Sequence, residues 1–518
     1  MSAIGHPETD LCGCPSRCCG YPLRCTAILQ LSVFAPGVDV KHYLADDAAL
    51  YTDLYQLTMA QGYLFEGNAD RTACFDYFFR SNPFGSGYTV FSGLSQVVDL
   101  LSNFHFHDGA IDYLSDQGFA AEFLDHLSSL ELGLEVNAPP EGEIVFPYEP
   151  VVRVRGPLLQ AQLVETLLLN TLNFSSLIAT KASRMRRVAG DRKLIDFGLR
   201  RAQGMGALQA SRAAYIGGFE STSNVLAGRN AHIPVAGTQA HSWIQSFDDE
   251  LSAFRAYARQ FPDQCILLVD TYDTLNSGIP NAIEVAGELR EQGHELVGIR
   301  LDSGDLAYLS KKARQMLDDA GFPDVKIAAS NQLDEYVIKS LVGEQDAAID
   351  VFGVGTQLVT AYDDAALDGV YKLCEVDGDP RIKISENREK VNFPSAKRVF
   401  RLLDDHGQFY GDAIALESED EVDHIVHPHD PYKDVAVGDL DQQPLLETVI
   451  DDGQVIADLH DIEQARDYAR RRLQQLPDEH KRFDNPHIYK VGLSDKLNQL
   501  RHGTLQQARI SRGVDDRG

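Results

Sequence analysis

The sequence predicts an α/β fold, a barrel-like parallel sheet flanked by a second domain assembled from both ends of the chain. Two observations carry this. Six short apolar runs, Lys193–Phe197, Ile233–Ala236, Cys265–Val269, Leu296–Leu301, Val325–Ala329 and Ala348–Val354, stop abruptly at Gly, Asp, Ser or Thr and lead into helical or loop segments. Strands that alternate with helices build parallel sheets, and burial on both faces makes them continuous apolar runs. The polar residues collect just beyond the runs, on the carboxyl-end face where parallel barrels place their chemistry. Six units within about 160 residues favour a barrel, although periodicity alone leaves an open sheet as the alternative.

The rest of the chain follows in order. Of 518 residues, 47 are Lys or Arg and 77 are Asp or Glu, a net charge of −30. That excess excludes a protein built mainly to grip nucleic acid, since neutralising phosphates needs surplus cations. It leaves room for a small phosphorylated substrate in a local basic pocket. No apolar run approaches the ~20 residues of a membrane-spanning helix.

Five of the eight cysteines (Cys12, Cys14, Cys18, Cys19 and Cys25) crowd the first 25 residues, without the two C-x-x-C knuckles of a zinc fold. The apolar stretch Ala27–Ala35 is broken by Gln30 and Ser32 and lacks the cleavage site of a secretory signal. Residues 1–45 are therefore expected to be a disordered, Cys-containing extension or a start assigned too far upstream. The scattered Cys74, Cys265 and Cys374 fit a reducing, cytoplasmic compartment.

Residues 46–155 are assigned to the first part of the second domain, residues 156–400 to the barrel domain, and residues 401–518 to the segment completing the second domain. Within the barrel domain, residues 158–180 read as one long buried helix, apolar nearly all round. Residues 402–462 hold seventeen acidic residues against a single Lys. The interleaved Val422, Ile425, Val435, Leu445 and Val449 make this an acidic face on strands rather than a tail. Residues 462–475 form an amphipathic helix.

Each strand end offers a chemical reading beside a structural one. In Arg300-Leu-Asp-Ser-Gly-Asp305, two-residue alternation puts Arg300 and Asp302 on one side. Ser303 and Gly304 make a tight turn whose N–H groups can approach a phosphate. Asp302 and Asp305 could hold Mg²⁺ through oxygen, and an Arg–Asp pair closing the loop explains the same spacing equally well. Gly353-Val-Gly-Thr356 offers Gly353, Gly355 and the Thr356 hydroxyl for close approach to a phosphate. Asp270 and Asp273 could orient ribose hydroxyls or metal-bound water, or cap the next helix. His241, beside Thr238 and Ser242, offers a neutral imidazole as nucleophile toward a phosphoryl group; an isolated His is more often a structural donor. Arg200 and Arg201 suit bidentate phosphate binding, or answer the acidic excess at the surface.

Taken together, seven segments resemble the nicotinate phosphoribosyltransferase family. They are Tyr51-Thr-Asp-Leu-Tyr-Gln-Leu-Thr-Met-Ala60, Asp196-Phe-Gly-Leu-Arg-Arg-Ala-Gln-Gly204, Gly218-Phe-Glu-Ser-Thr-Ser-Asn-Val-Leu-Ala-Gly228, Gly237-Thr-Gln-Ala-His-Ser242, Val269-Asp-Thr-Tyr-Asp-Thr274, Arg300-Leu-Asp-Ser-Gly-Asp-Leu306 and Phe352-Gly-Val-Gly-Thr356. The resemblance runs from about Ala49 to the segment Asn485–Ser494 and omits the first ~45 residues. It implies an irregular α/β barrel with a second α+β domain built from N- and C-terminal segments. It implies joining nicotinate to 5-phosphoribosyl 1-diphosphate in NAD salvage, with ATP hydrolysis and Mg²⁺, in a ligase-type coupling through a phosphohistidine.

Carried over residue by residue, His241 is the phosphorylated histidine and Arg300 meets the nicotinate carboxylate. Tyr55, supplied by a neighbouring subunit, stacks on the pyridine, so the resemblance implies a homodimer with shared sites. Phe197 forms the other side of that slot, Thr238 contacts substrate and Arg200 meets the phosphoribosyl phosphate. Gly353, Gly355 and Thr356 cradle phosphate, and Asp270 and Asp302 serve ribose or Mg²⁺. The nicotinamide-using relative carries an acidic residue near Thr222–Gly228, where this chain has neutral Ser223 and Asn224. That difference favours the acid as substrate. A catalytically silent binding relative is the remaining alternative.

Overall fold

The computed structural model describes residues 44–383 and 392–510; the N-terminal cysteine cluster lies outside them. One all-parallel sheet contains β1 (Lys193–Asp196), β2 (Ser221–Thr222), β3 (Ile266–Leu268), β4 (Gly298–Leu301), β5 (Lys326–Ser330) and β6 (Val351–Val354), in the order β2-β1-β6-β5-β4-β3. Five of the six expected runs become these strands. The sixth, Ile233–Ala236, makes only a single parallel bridge, Val235 to Thr222. Pro234 has no N–H to give and only accepts, from Thr222 N. β2 is too short and polar to show as an apolar run.

The ladder is open between its edge strands β2 and β3, and the irregular segment 234–239 lies there. Ala236 N donates to Thr222 O, and the Gln239 Nε2 amide donates to Ile266 O at 3.4 Å. The gap in the sheet is thus spanned by a stretch of loop, held to β2 by backbone bonds and to β3 by one side chain. That loop leads directly into His241.

The long helix expected over 158–180 is two helices, Leu158–Leu163 and Glu165–Ala189, meeting at Val164. The second runs nine residues past the expected end because its late polar residues are buried. Lys181 Nζ lies 2.9 Å from Glu335 Oε2 and Arg184 Nε donates to Glu335 Oε1 at 3.2 Å, all three side chains inside the fold. Gly190, at φ 62°, stops the helix.

Two further sheets interleave the chain ends. A seven-stranded sheet sets Thr72–Phe78, Val152–Pro157 and Glu135–Ala138 beside Val370–Val376 and Glu447–Asp451. Val370–Val376, on the barrel side of the boundary expected at 400, ladders with Thr72–Phe78. A six-stranded sheet holds Lys397–Leu403, Phe409–Leu416, His424–His427 and Val491–Ser494. Within the acidic stretch, Val422, Ile425, Leu445 and Val449 are buried. The helix expected at 462–475 spans Ile462–Gln475, started by a capping box between Asp461 and Gln464. No helix among the described residues is long and apolar enough to cross a membrane.

Candidate active site

A cavity of about 490 Å³ opens over the carboxyl ends of the parallel strands. Arg300, near the end of β4, organises it. Its Nε donates to Ser330 Oγ at 2.9 Å, Nη1 to Thr238 Oγ1 at 2.9 Å and Nη2 to Asp302 Oδ1 at 3.0 Å. Its guanidinium carbon also lies 5.3 Å from the centre of the Phe197 ring. One cation thus ties together the ends of β1, β4 and β5 and the irregular loop. Three of its five N–H groups are engaged, leaving donors for a carboxylate.

Asp302 accepts from Arg300 and from the Ser330 hydroxyl, and its Oδ2 lies 3.7 Å from His241 Nε2. Burial opposes its charge, but the Ser330 hydroxyl, Arg300 and His241 together hold its carboxyl below the ordinary range. His241 opens the helix His241–Gln245, and its Nδ1 is 3.0 Å from Thr271 Oγ1. The imidazole is 40% exposed and faces the cavity.

Asp270 and Ser303 form the next layer. Asp270 Oδ2 accepts from Asp302 N at 2.8 Å and from the Ser303 hydroxyl at 2.6 Å, while its Oδ1 is buried without a partner. Asp302, Ser303, Gly304, Asp305 and Ser330 line a neighbouring cavity of about 290 Å³, so Asp302 faces both spaces. Gly304, at φ 78°, makes the turn. Asp305 caps the helix Leu306–Asp319 by accepting from Tyr308 N at 3.0 Å, and Asp273 caps the turn after β3 in the same way.

The other expected residues fall into three groups. Phe197, Arg200 and Thr238 line the main cavity, and Arg200 is exposed with no hydrogen bond or ion pair among the described residues. Gly353 has a packing reason of its own, since a Cβ there would lie 2.3 Å from Phe197 Cε2. Gly355 and Thr356 start the short helix Thr356–Val359 beyond it. Tyr55 does not line the cavity. It lies on the helix Leu54–Phe65, 49% exposed beside exposed Leu54 and Met59.

Ser223 lines the cavity, whereas Asn224 is buried and caps the helix Val225–Ala231. Asp196 is structural. It accepts from Gly198 N, Ser211 Oγ and Thr222 Oγ1, tying β1 to β2, and burial still pushes its carboxyl above the ordinary range.

Sequence reasoning did not single out Ser330 or Thr271 as site residues. Ser330 ends β5 and Thr271 lies three residues beyond β3, and only the fold shows which partner each hydroxyl meets. It also treated Cys74 and Cys374 as scattered. Their sulfurs and an Asp76 oxygen lie within 4.8 Å of one another, among the described residues the one group of metal-ligand type. Lys397 Nζ, 2.7 Å from Asp76 Oδ2, already supplies the cation there, and burial pushes the Cys374 thiol up.

Residues 50–173 match the N-terminal domain of nicotinate phosphoribosyltransferase, residues 192–420 the nicotinate phosphoribosyltransferase family and residues 396–501 its C-terminal domain. The chain belongs to the nicotinate phosphoribosyltransferase family. It is 45% identical over 461 residues to the nicotinate phosphoribosyltransferase of Bacillus subtilis (strain 168), covering 87% of this chain and 94% of that protein. The Dictyostelium discoideum nicotinate phosphoribosyltransferase is 38% identical over 515 residues, covering 88% of this chain and 87% of that protein. The crystal structure of human nicotinic acid phosphoribosyltransferase superposes with a TM-score of 0.78 at 35% identity, over 87% of this chain and 99% of that one. The family's two-domain α/β architecture is therefore this chain's architecture.

Proposed function

We propose that this chain joins nicotinate to 5-phosphoribosyl 1-diphosphate, giving nicotinate mononucleotide and diphosphate, and couples that transfer to ATP hydrolysis through His241. The observation that carries the reading is the linkage Thr238–Arg300–Asp302–His241 around one cavity, with the unpaired Arg200 on its rim. The new bond runs from the pyridine nitrogen to the anomeric carbon, and the bond to the diphosphate oxygen breaks. That nitrogen has no proton to lose, so the step needs no general base.

The two remaining Arg300 donors receive the nicotinate carboxylate, and Phe197 offers its ring face to the pyridine, a positioning contribution. The Tyr55 of a neighbouring subunit closes the slot in a homodimer, which accounts for an exposed aromatic that does not line the strand-end cavity of its own chain. Arg200 meets the phosphate of the sugar, with Gly355 and Thr356 on the neighbouring strand end, where Phe197 N donates to Val354 O at 2.7 Å. Arginine charge stabilises the departing diphosphate, and Mg²⁺, when bound, would supply further neutralisation of its charge.

The residues present fit Mg²⁺ in its usual manner, one or two carboxylates with the substrate's phosphates completing the shell. Asp270, whose Oδ1 is buried without a partner, and Asp302 would hold it, while Asp305 is occupied as a helix cap. At His241 the Asp302 carboxylate favours the ring proton on Nε2. Nδ1, beside the Thr271 hydroxyl, is then the lone-pair nitrogen that takes the phosphoryl group from ATP.

The test is product formation from phosphoribosyl diphosphate with nicotinate and nicotinamide in parallel, with and without ATP. Mononucleotide from nicotinate, stimulated by ATP, is the expected result. Product from nicotinamide would overturn the substrate reading, and no product from either in a folded protein would point to a silent binding relative.

A further inference from the structure

A further cavity, about 560 Å³, lies where the last turn of the helix Glu165–Ala189 meets residues 216–220 and the helix Ile462–Gln475. It is larger than the cavity over the strand ends and falls within the roughly 300–1,000 Å³ of small-molecule sites. Arg186, Arg187, Arg466, Arg470 and Lys481 line it, on a chain whose net charge is −30. The acidic groups in its wall are Asp191, Glu220, Asp467 and Asp478.

These carboxylates do not satisfy the cations. Glu220 takes Arg186 at 2.7 Å and Arg466 only at 3.9 Å. Asp467 meets Arg470 at 3.1 Å with both side chains at least half exposed, where such a pair holds weakly. Asp478, almost fully exposed itself, pairs with Lys481 at 2.9 Å, and Lys481 Nζ also donates to Leu473 O at 3.1 Å, leaving one N–H free. Arg187 makes no direct hydrogen bond or ion pair among the described residues and feels the exposed Asp478 carboxylate at longer range. Burial and the neighbouring Arg466 push the Arg186 guanidinium below its ordinary range, despite Glu220. Like charges gathered at one cavity favour an incoming anion.

The wall adds a second preference. Val90 and Ile216 are wholly buried behind the wall, and the half-buried Leu473 is the apolar side chain that faces the space, a place for a flat ring to rest. The site is also separate from the strand-end face. Glu220 immediately precedes β2, and its Oε2 accepts from Leu194 N in β1 at 2.7 Å, so the cavity sits at the amino ends of the two strands whose carboxyl ends lead to Phe197, Arg200 and Ser223.

From a cationic rim beside an apolar wall, we propose that this cavity is a second ligand site for a nucleoside phosphate, its phosphates on Arg187, Arg470 and Lys481 and its ring on Leu473. The probe is Mg²⁺-free ADP, followed by calorimetric titration of the full chain. In the Arg200→Glu variant, which sets a carboxylate against any phosphate entering the strand-end cavity, one ADP per chain still binds. Adding Arg187→Glu and Arg470→Glu to that variant weakens binding by about tenfold or more, since each loses a charge-assisted phosphate contact. Arg187→Lys with Arg470→Lys retains most of the affinity. Loss of all ADP binding in Arg200→Glu alone, or indifference to the paired Glu substitutions, overturns the proposal. Inorganic phosphate binding as tightly as ADP overturns the role of the apolar wall.

Discussion

Asp302→Asn is the substitution that separates orientation of His241 from the rest of the site. It keeps the shape of the side chain and removes one charge. Asp302 Oδ2 lies 3.7 Å from His241 Nε2, with the two side chains 27% and 40% exposed. For a pair this open an effective dielectric of about 40 is appropriate, which gives about 2 kcal/mol for the attraction to a charge on the ring. That corresponds to roughly 30-fold in the rate of forming a phosphorylated imidazole.

A second consequence compounds the loss. The Asn oxygen must still face Arg300 Nη2 and the Ser330 hydroxyl, which turns the amide N–H₂ toward His241. An N–H donor at that position favours a lone pair on Nε2 and the proton on Nδ1, the reverse of the arrangement proposed for the wild type. The assay is transfer of labelled γ-phosphate from ATP to the protein, followed over time, with Ser303→Ala as control. A wild-type labelling rate in Asp302→Asn would refute the reasoning. Full recovery at raised Mg²⁺ would refute it too, by showing that the carboxylate serves the metal alone.

Three further outcomes are expected. Arg200→Ala, at an exposed and unpaired position, should raise KM for phosphoribosyl diphosphate at least about tenfold while changing stability by less than about 0.5 kcal/mol, checked by kinetics and thermal unfolding. Gly353→Ala places a Cβ 2.3 Å from the Phe197 ring, so overpacking of about 1–3 kcal/mol and a raised KM for nicotinate should appear together, and a lowered Tm with unchanged KM would disconnect Phe197 from the slot. Glu141 is buried, and although burial opposes its charge, Arg212, Gly93 N and the Ser92 hydroxyl hold its carboxyl below its ordinary value of 4.5. Its contribution is therefore present above pH 4.5 and lost as pH falls through the lower folded value. Glu141→Gln should lower stability at neutral pH and flatten the acid limb of the unfolding curve.

What could be read from the sequence divides along physical lines. Five of the six expected runs are strands because parallel strands buried on both faces leave an apolar signature that needs no partner to be seen. Ile233–Ala236 failed because Pro234 cannot donate, and β2 was missed because two residues, Ser221 and Thr222, carry no periodicity at all. The helix ending at Ala189 was cut short at residue 180 because Lys181 and Arg184 look like surface, and only their meeting with Glu335 buries them. At the site, Arg300, Asp302 and His241 were legible as strand-end chemistry. Ser330 and Thr271 were not, since a hydroxyl gains a role only from the side chain that the fold sets opposite it.

The same reasoning explains how a chain of net charge −30 can present a cationic cavity to two anionic substrates. The sign of a site depends on which charges are already answered. Asp196 accepts three donors and faces inward, and Asp270 Oδ2 is held by Asp302 N and the Ser303 hydroxyl. Asp302 is shared between Arg300 and the Ser330 hydroxyl, and Asp305 and Asp273 cap helical turns. Arg200 alone among these groups has no partner. The strand ends therefore carry more carboxylates than arginines in sequence, yet the charge left open to a ligand is positive, and composition could never have shown it.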